Sequence, residues 1–206
     1  MKIAAVVVSI STILAVGVAA AEPRPLSGFT RVQASAGVRV DIAIGEAFAV
    51  DVAGRDADRI ETRVSNGVLV IEPVRSWGFQ WGRRDARVRV SMPRVEGLDV
   101  SSGAVISTRG VNADALSLEA SSGASLTVAG ACASFDADAS SGAVIRAAEL
   151  RCQNGAVDVS SGARADVFAS NSVNVDASSG GDVTVHGGAG YGDVDLSSGG
   201  SLRRAD

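Results

Sequence analysis

The sequence predicts an all-β protein, a parallel β-helix or β-solenoid of about 19 residues per turn with an N-terminal β capping region. Three observations predict it. A Ser-Ser-Gly triplet recurs six times at near-constant spacing. Apolar residues alternate with polar ones on both sides of each triplet. No stretch of the C-terminal half shows helical period.

The triplets begin at Ser101, Ser121, Ser140, Ser160, Ser178 and Ser197, at intervals of 20, 19, 20, 18 and 19 residues. A small or apolar residue, an acid and a second small or apolar residue precede each one, as in Leu98-Asp99-Val100 and Val157-Asp158-Val159. Period-two alternation follows, as in Ala124-Ser125-Leu126-Thr127-Val128. Such alternation means strands with one buried face. The triplet between them is a bend, where glycine supplies backbone freedom. A unit this short cannot bury its apolar side alone, but stacked units can. The inward set is then Ile106, Leu126, Ile145, Ala165, Val183 and Leu202, with Val128, Val167 and Val185 beside them. A propeller blade would need about 40 residues per unit, twice this period. Right-handed winding is the default for parallel crossovers.

Before the repeats, residues 29–97 also alternate. Val38, Val40, Ile42 and Ile44 form one run, Phe48, Val50 and Val52 a second, and Val88, Val90 and Met92 a third. Asn66-Gly67 marks a tight hairpin turn before Val68-Leu69-Val70-Ile71. These strands are either irregular early turns or a capping sheet, which solenoids need at an open end.

The chain starts with Lys2, an apolar run from Ile3 to Val18, and Ala19-Ala20-Ala21. That order predicts a secretory signal peptide over residues 1–21, the alternative being an uncleaved anchor. The remaining boundaries are 22–97 for the N-terminal β region and 98–206 for the repeats, forming one continuous domain over 22–206. The localisation expected is export, to periplasm, cell surface or medium.

Residues 22–97 carry 12 Arg against 10 acids, and residues 98–206 carry 6 Arg against 13 acids. An acidic repeat region argues against nucleic acid, whose phosphates need clustered positive charge. Cys132 and Cys152 each stand eight residues before a triplet, so stacking places them on adjacent turns about 4.8 Å apart. That is within disulfide range, and an oxidising compartment permits the bond. The alternative is a pair of small buried thiols.

The string Val95-Glu96-Gly97-Leu98-Asp99-Val100-Ser101-Ser102-Gly103-Ala104, between alternating N-terminal strands and repeated Ser-Gly corners, resembles the head GIN domain family of auto-transporter adhesins. The resemblance spans roughly Phe29 to Leu202. It implies a β-helical domain of the cell envelope or medium, adhesive in function, and it brings no catalytic residues.

The residues themselves suggest no catalytic site. Asp99, Glu119, Asp138, Asp158, Asp176 and Asp195 form an outward acid ladder, one per turn. Paired carboxylates can hydrolyse glycosides, so a polysaccharide-acting enzyme is one alternative. Near-identical copies, however, read as architecture and as a solvated ladder. Calcium wants more converging oxygens than one carboxylate per turn supplies. The corner serines read as turn residues, and His186, the sole histidine, has no partner set for zinc or for a nucleophile. No cofactor and no metal are expected.

The candidate binding residues are Trp77, Phe79, Trp81, Arg83 and Arg84. The three aromatics share one face at period two. Exposed, they suit sugar rings or a membrane interface. Folded inward, they would plug the core. The expected function is a non-catalytic adhesin or envelope-binding module, with polysaccharide or a surface protein as partner. A structural spacer is the further alternative.

Overall fold

A computed structural model of the chain describes residues 21–74 and 85–205. Fifteen strands occur among the described residues, with one short 3-10 turn at Ala57–Arg59 and no α-helix. In chain order they are β1 (Glu22–Arg24), β2 (Arg31–Ala34), β3 (Arg39–Ile44), β4 (Ala49–Ala53), β5 (Ile60–Ser65), β6 (Val68–Pro73), β7 (Arg87–Met92) and β8 (Gly97–Val100). The repeats supply β9 (Val105–Ala120), β10 (Ser125–Ala139), β11 (Val144–Val159), β12 (Arg164–Ala177), β13 (Asp182–His186), β14 (Gly190–Leu196) and β15 (Ser201–Ala205).

The repeats stack as a parallel solenoid. β9, β10, β11 and β12 pair in sequence, and β12 then pairs with both β13 and β14. Ile106, Leu126, Ile145, Ala165, Val183 and Leu202 fall in one column of the register. The first five of these are buried, as are Val128, Val167 and Val185, while Leu202 on the last turn is partly buried. Burying this column removes apolar surface from water at about 25 cal/mol per Å2. It is the main force holding one turn on the next.

Each Ser-Ser-Gly is a tight turn with both central residues at positive φ. At the first, Ser102 has φ 52° and Gly103 φ 73°, and the Ala104 amide donates to the Ser101 carbonyl at 3.0 Å. This matches a type I′ turn. Corners are also stitched to one another, the Gly103 amide donating to the Ser122 carbonyl at 3.1 Å and the Gly123 amide to that of Ser141 at 3.0 Å. Serine tolerates the left-handed region at some cost, and a β-branched residue tolerates it badly. Ser161→Val is therefore expected to destabilise the protein by about 1–2 kcal/mol. That corresponds to about 2–8 °C in melting temperature, whereas Ser161→Asn should lose nothing. A thermal melt of both variants checks this, and equal melting of the two would refute it.

Turn length varies, and the ladder absorbs the variation at a bend away from the corner. Thr108 to Val111 spans three steps where Val128 to Gly130 spans two. Thr127 to Ala129 spans two where Arg146 to Glu149 spans three. Those irregularities account for the alternation of 20- and 19-residue intervals, and they leave the corners aligned.

The solenoid begins earlier than the triplets do. β2 pairs in parallel with β8, and β3 with β9. Between β2 and β3 lies a corner of the same kind, with Ala36 at φ 55° and Gly37 at φ 79°. The Ser101 amide donates to the Ala34 carbonyl and the Val105 amide to that of Val38, so this corner stacks on the first triplet. Beyond it, β6 and β7 form one more parallel layer on β2 and β3. Antiparallel β5 and β4 then close that end, with β1 antiparallel on β4. Residues 31–44 are thus an early turn, and β1, β4 and β5 are a cap. The Phe29 and Phe48 rings form a tilted pair, 4.9 Å between centroids. Asn66-Gly67, at φ 50° and 76°, makes the β5–β6 hairpin turn.

Candidate functional site

The acid ladder is in register. Asp99 pairs with Glu119, Glu119 with Asp138, Asp138 with Asp158, Asp158 with Asp176, and Asp176 with Asp195. Gln33 occupies the same column on the early turn, and its amide donates to Asp99 at 2.9 Å. The far part of this face is a shallow open groove of about 430 Å3 that includes Asp136, Asp158, Asp176, Asp193 and Asp195. No group of His, Cys, Asp and Glu able to hold a metal ion occurs among the described residues.

Stacked like charges carry a cost, and two members register it. Asp138 is exposed, yet desolvation by the neighbouring turns raises its carboxyl above the ordinary range, with Asp136, Asp158 and Glu119 adding repulsion. Burial also raises Asp99, helped by Glu119 and opposed by the hydrogen bond from Gln33. A carboxyl raised in the folded state binds protons there more readily than in the unfolded chain. Its charged form therefore opposes folding above the raised value, and the penalty fades as pH falls toward the unfolded carboxylate range. Asp138→Asn is expected to raise the melting temperature at pH 7 and to lose that advantage near pH 4. A pH series of thermal melts checks this, and a destabilised variant at pH 7 would show that the ladder is held by favourable contacts instead.

The other polar candidates are dispersed. The second serine of each triplet is exposed at its turn. His186 on β13 faces Asp166 one turn below, at 3.7 Å. Cys132 and Cys152 are register partners and form a disulfide, with Cα atoms 4.5 Å apart. The Arg151 guanidinium lies 4.3 Å over the Phe168 ring of the next turn, a contact with no signature in the sequence.

Trp77, Phe79, Trp81, Arg83 and Arg84 lie outside the described residues. Their attachment points are described. The segment joins β6 to β7, whose parallel layer sits on β2 and β3. It therefore enters the chain where the stacked turns carry a short corner. On one side, the Val74 amide donates to the Arg59 carbonyl at 2.8 Å, and the Val74 side chain is exposed. On the other, Asp85 pairs with Arg55 at 2.8 Å, and its amide donates to the Asp56 carboxylate at 3.0 Å. The corner at Ser35-Ala36-Gly37 is not among the repeated triplets. The signal that could have found it is Ala34-Ser35-Ala36-Gly37-Val38, one serine short of the repeated motif.

These features define a β-solenoid with serine-glycine corners and an antiparallel N-terminal cap. The chain belongs to the head GIN domain family, described as "Putative auto-transporter adhesin, head GIN domain", which matches residues 28–189. Among solved structures it is similar to an adhesin-named protein from Bacteroides fragilis, with 11% identity, a TM-score of 0.71, and 90% of this chain and 96% of that one covered. It is also similar to two proteins from Parabacteroides distasonis. One bears an adhesin name, with 12% identity, a TM-score of 0.56, and 90% and 96% coverage. The other bears a lipid-binding name, with 14% identity, a TM-score of 0.51, and 93% and 98% coverage. At such identities the likeness is one of fold. No curated protein matches the chain. No helix among the described residues is long and apolar enough to cross a membrane.

Proposed function

We propose that the protein is a non-catalytic, exported adhesion or cell-envelope binding module that uses Trp77, Phe79, Trp81, Arg83 and Arg84. Its partner is envelope polysaccharide or a surface protein, and its location is the periplasm, the cell surface or the medium. The observation that carries this reading is the break in the corner column. The aromatic segment replaces a short turn in the layer next to the cap, on stems held by Arg59, Arg55 and Asp56. A stacked fold repeats its corners for stability, so a longer, aromatic-rich departure is where selection for binding would leave its mark. The family description and the adhesin names of similar structures support the same reading. The acid ladder repeats one carboxylate per turn in register, which reads as architecture rather than as a site that departs from the repeat.

Both tryptophans of the chain belong to this segment, so their fluorescence reports on it alone. The purified protein, titrated with envelope polysaccharides and separately with lipid vesicles, is expected to show red-shifted emission that moves blue and saturates with one of them. Emission already blue and unmoved by every titrant would mean buried rings and would reject this site. The vesicle arm separates a lipid partner, the class named for one similar structure, from polysaccharide.

A further inference from the structure

The two ends of the solenoid differ. The N-terminal end is closed by antiparallel strands. At the other end, β14 pairs only with β12 and β15 only with β13, so one edge of each strand meets no described strand. Val194 and Leu196, inward by register with buried Val175 and Ala177, are 43% and 46% exposed. Tyr191 is 38% exposed. Unpaired strand edges beside exposed apolar side chains are a template for further pairing.

We propose that this end is an interface with a second copy of the same chain, the two solenoids meeting end to end about a two-fold axis through the Ser198 corner. β14 runs toward that corner and β15 away from it. A two-fold along the bisector of the corner therefore lays β14 of one copy antiparallel on β15 of the other. Placing the axis at Ser198 keeps inward residues opposite inward ones and outward opposite outward. In that register Val194 faces Leu202, extending the buried column across the junction. Arg203, which pairs with Asp182 of its own copy at 2.9 Å, faces Asp193 of the other copy on the outer surface, and the symmetry makes this contact twice. Arg204, which crosses the open end over the Tyr191 ring at 4.6 Å, faces Gly192, where no side chain obstructs it. A like-on-like arrangement, β14 on β14, would set Asp193 against its own copy and is disfavoured. The contact is isologous, so it closes as a dimer and leaves the capped ends outward.

The test uses light-scattering mass during size exclusion of the purified protein. The expected result is a dimer that Val194→Arg converts to a monomer. Val194 is exposed, so this change leaves the core of one copy intact, and an unchanged far-ultraviolet spectrum confirms folding. Ser198→Cys is a second, register-specific probe. It is expected to give a disulfide-linked dimer on a non-reducing gel, while Ser141→Cys, the same corner position within the stack, gives none. A monomeric native protein, a dimer that survives Val194→Arg, a Ser198→Cys dimer without a cross-link, or an open-ended series of higher masses would each overturn the proposal.

Discussion

Replacing Gly130 with alanine is expected to lower the melting temperature by about 6–12 °C, corresponding to about 3 kcal/mol for a domain of this size. Gly130 has φ 147°, a conformation in which a side chain is strained by about 1–3 kcal/mol. The strain is only part of the effect. A Cβ there would overlap the backbone of Val111 on the adjacent turn, whose carbonyl carbon would lie 2.8 Å away. Backbone cannot rotate aside as a side chain can, so β9 and β10 would have to separate at the bend that absorbs their difference in length. Gly110 is the matched control. It too has positive φ, 74°, but open space where its Cβ would go. Gly110→Ala should cost only the backbone term, about 1–2 kcal/mol. Thermal melts of the two variants separate conformational strain from the clash, and equal losses would dismiss the clash.

Reducing the Cys132–Cys152 bond should have an effect of similar size. The bond closes a loop with a sequence separation of 20 residues. Chain-entropy reasoning for a loop of that length gives about 3 kcal/mol of stabilisation through the unfolded state. The folded protein should survive reduction, because β10 and β11 remain paired along most of their length. Melting with and without a phosphine reductant should differ by about 6–12 °C. The Cys132→Ala, Cys152→Ala double variant should behave like the reduced protein. No shift on reduction would mean that the bond constrains nothing the unfolded chain would otherwise explore.

The parts of this fold legible in the sequence are those in which neighbouring residues carry the information. Alternation in Leu126-Thr127-Val128 sorts side chains to two faces, and Ser-Ser-Gly marks the turn. Equal spacing then says which residues stack, so the buried column, the acid ladder and the pairing position of Cys132 and Cys152 follow from counting. The candidate binding residues Trp77, Phe79 and Trp81 were equally legible as a composition, though they lie outside the described residues. Counting fails where the interval is long. Gln33 and Asp99 stand 66 residues apart yet share a column, because β4 to β7 are inserted between one turn and the next.

Sequence alone thus determined a solenoid, its period and its inner column, since alternation and turn chemistry are local properties of the chain. Tertiary structure decided which strand lies on which at the two ends. Several strands there have the same alternation, and the edge that each one covers depends on what else has already paired. It also decided where the odd residues of unequal turns go, into the bend at Gly130 and not into the corners. The corners are bonded to one another through their backbones, whereas the longer turn has open space at Gly110 into which its extra residue can bulge.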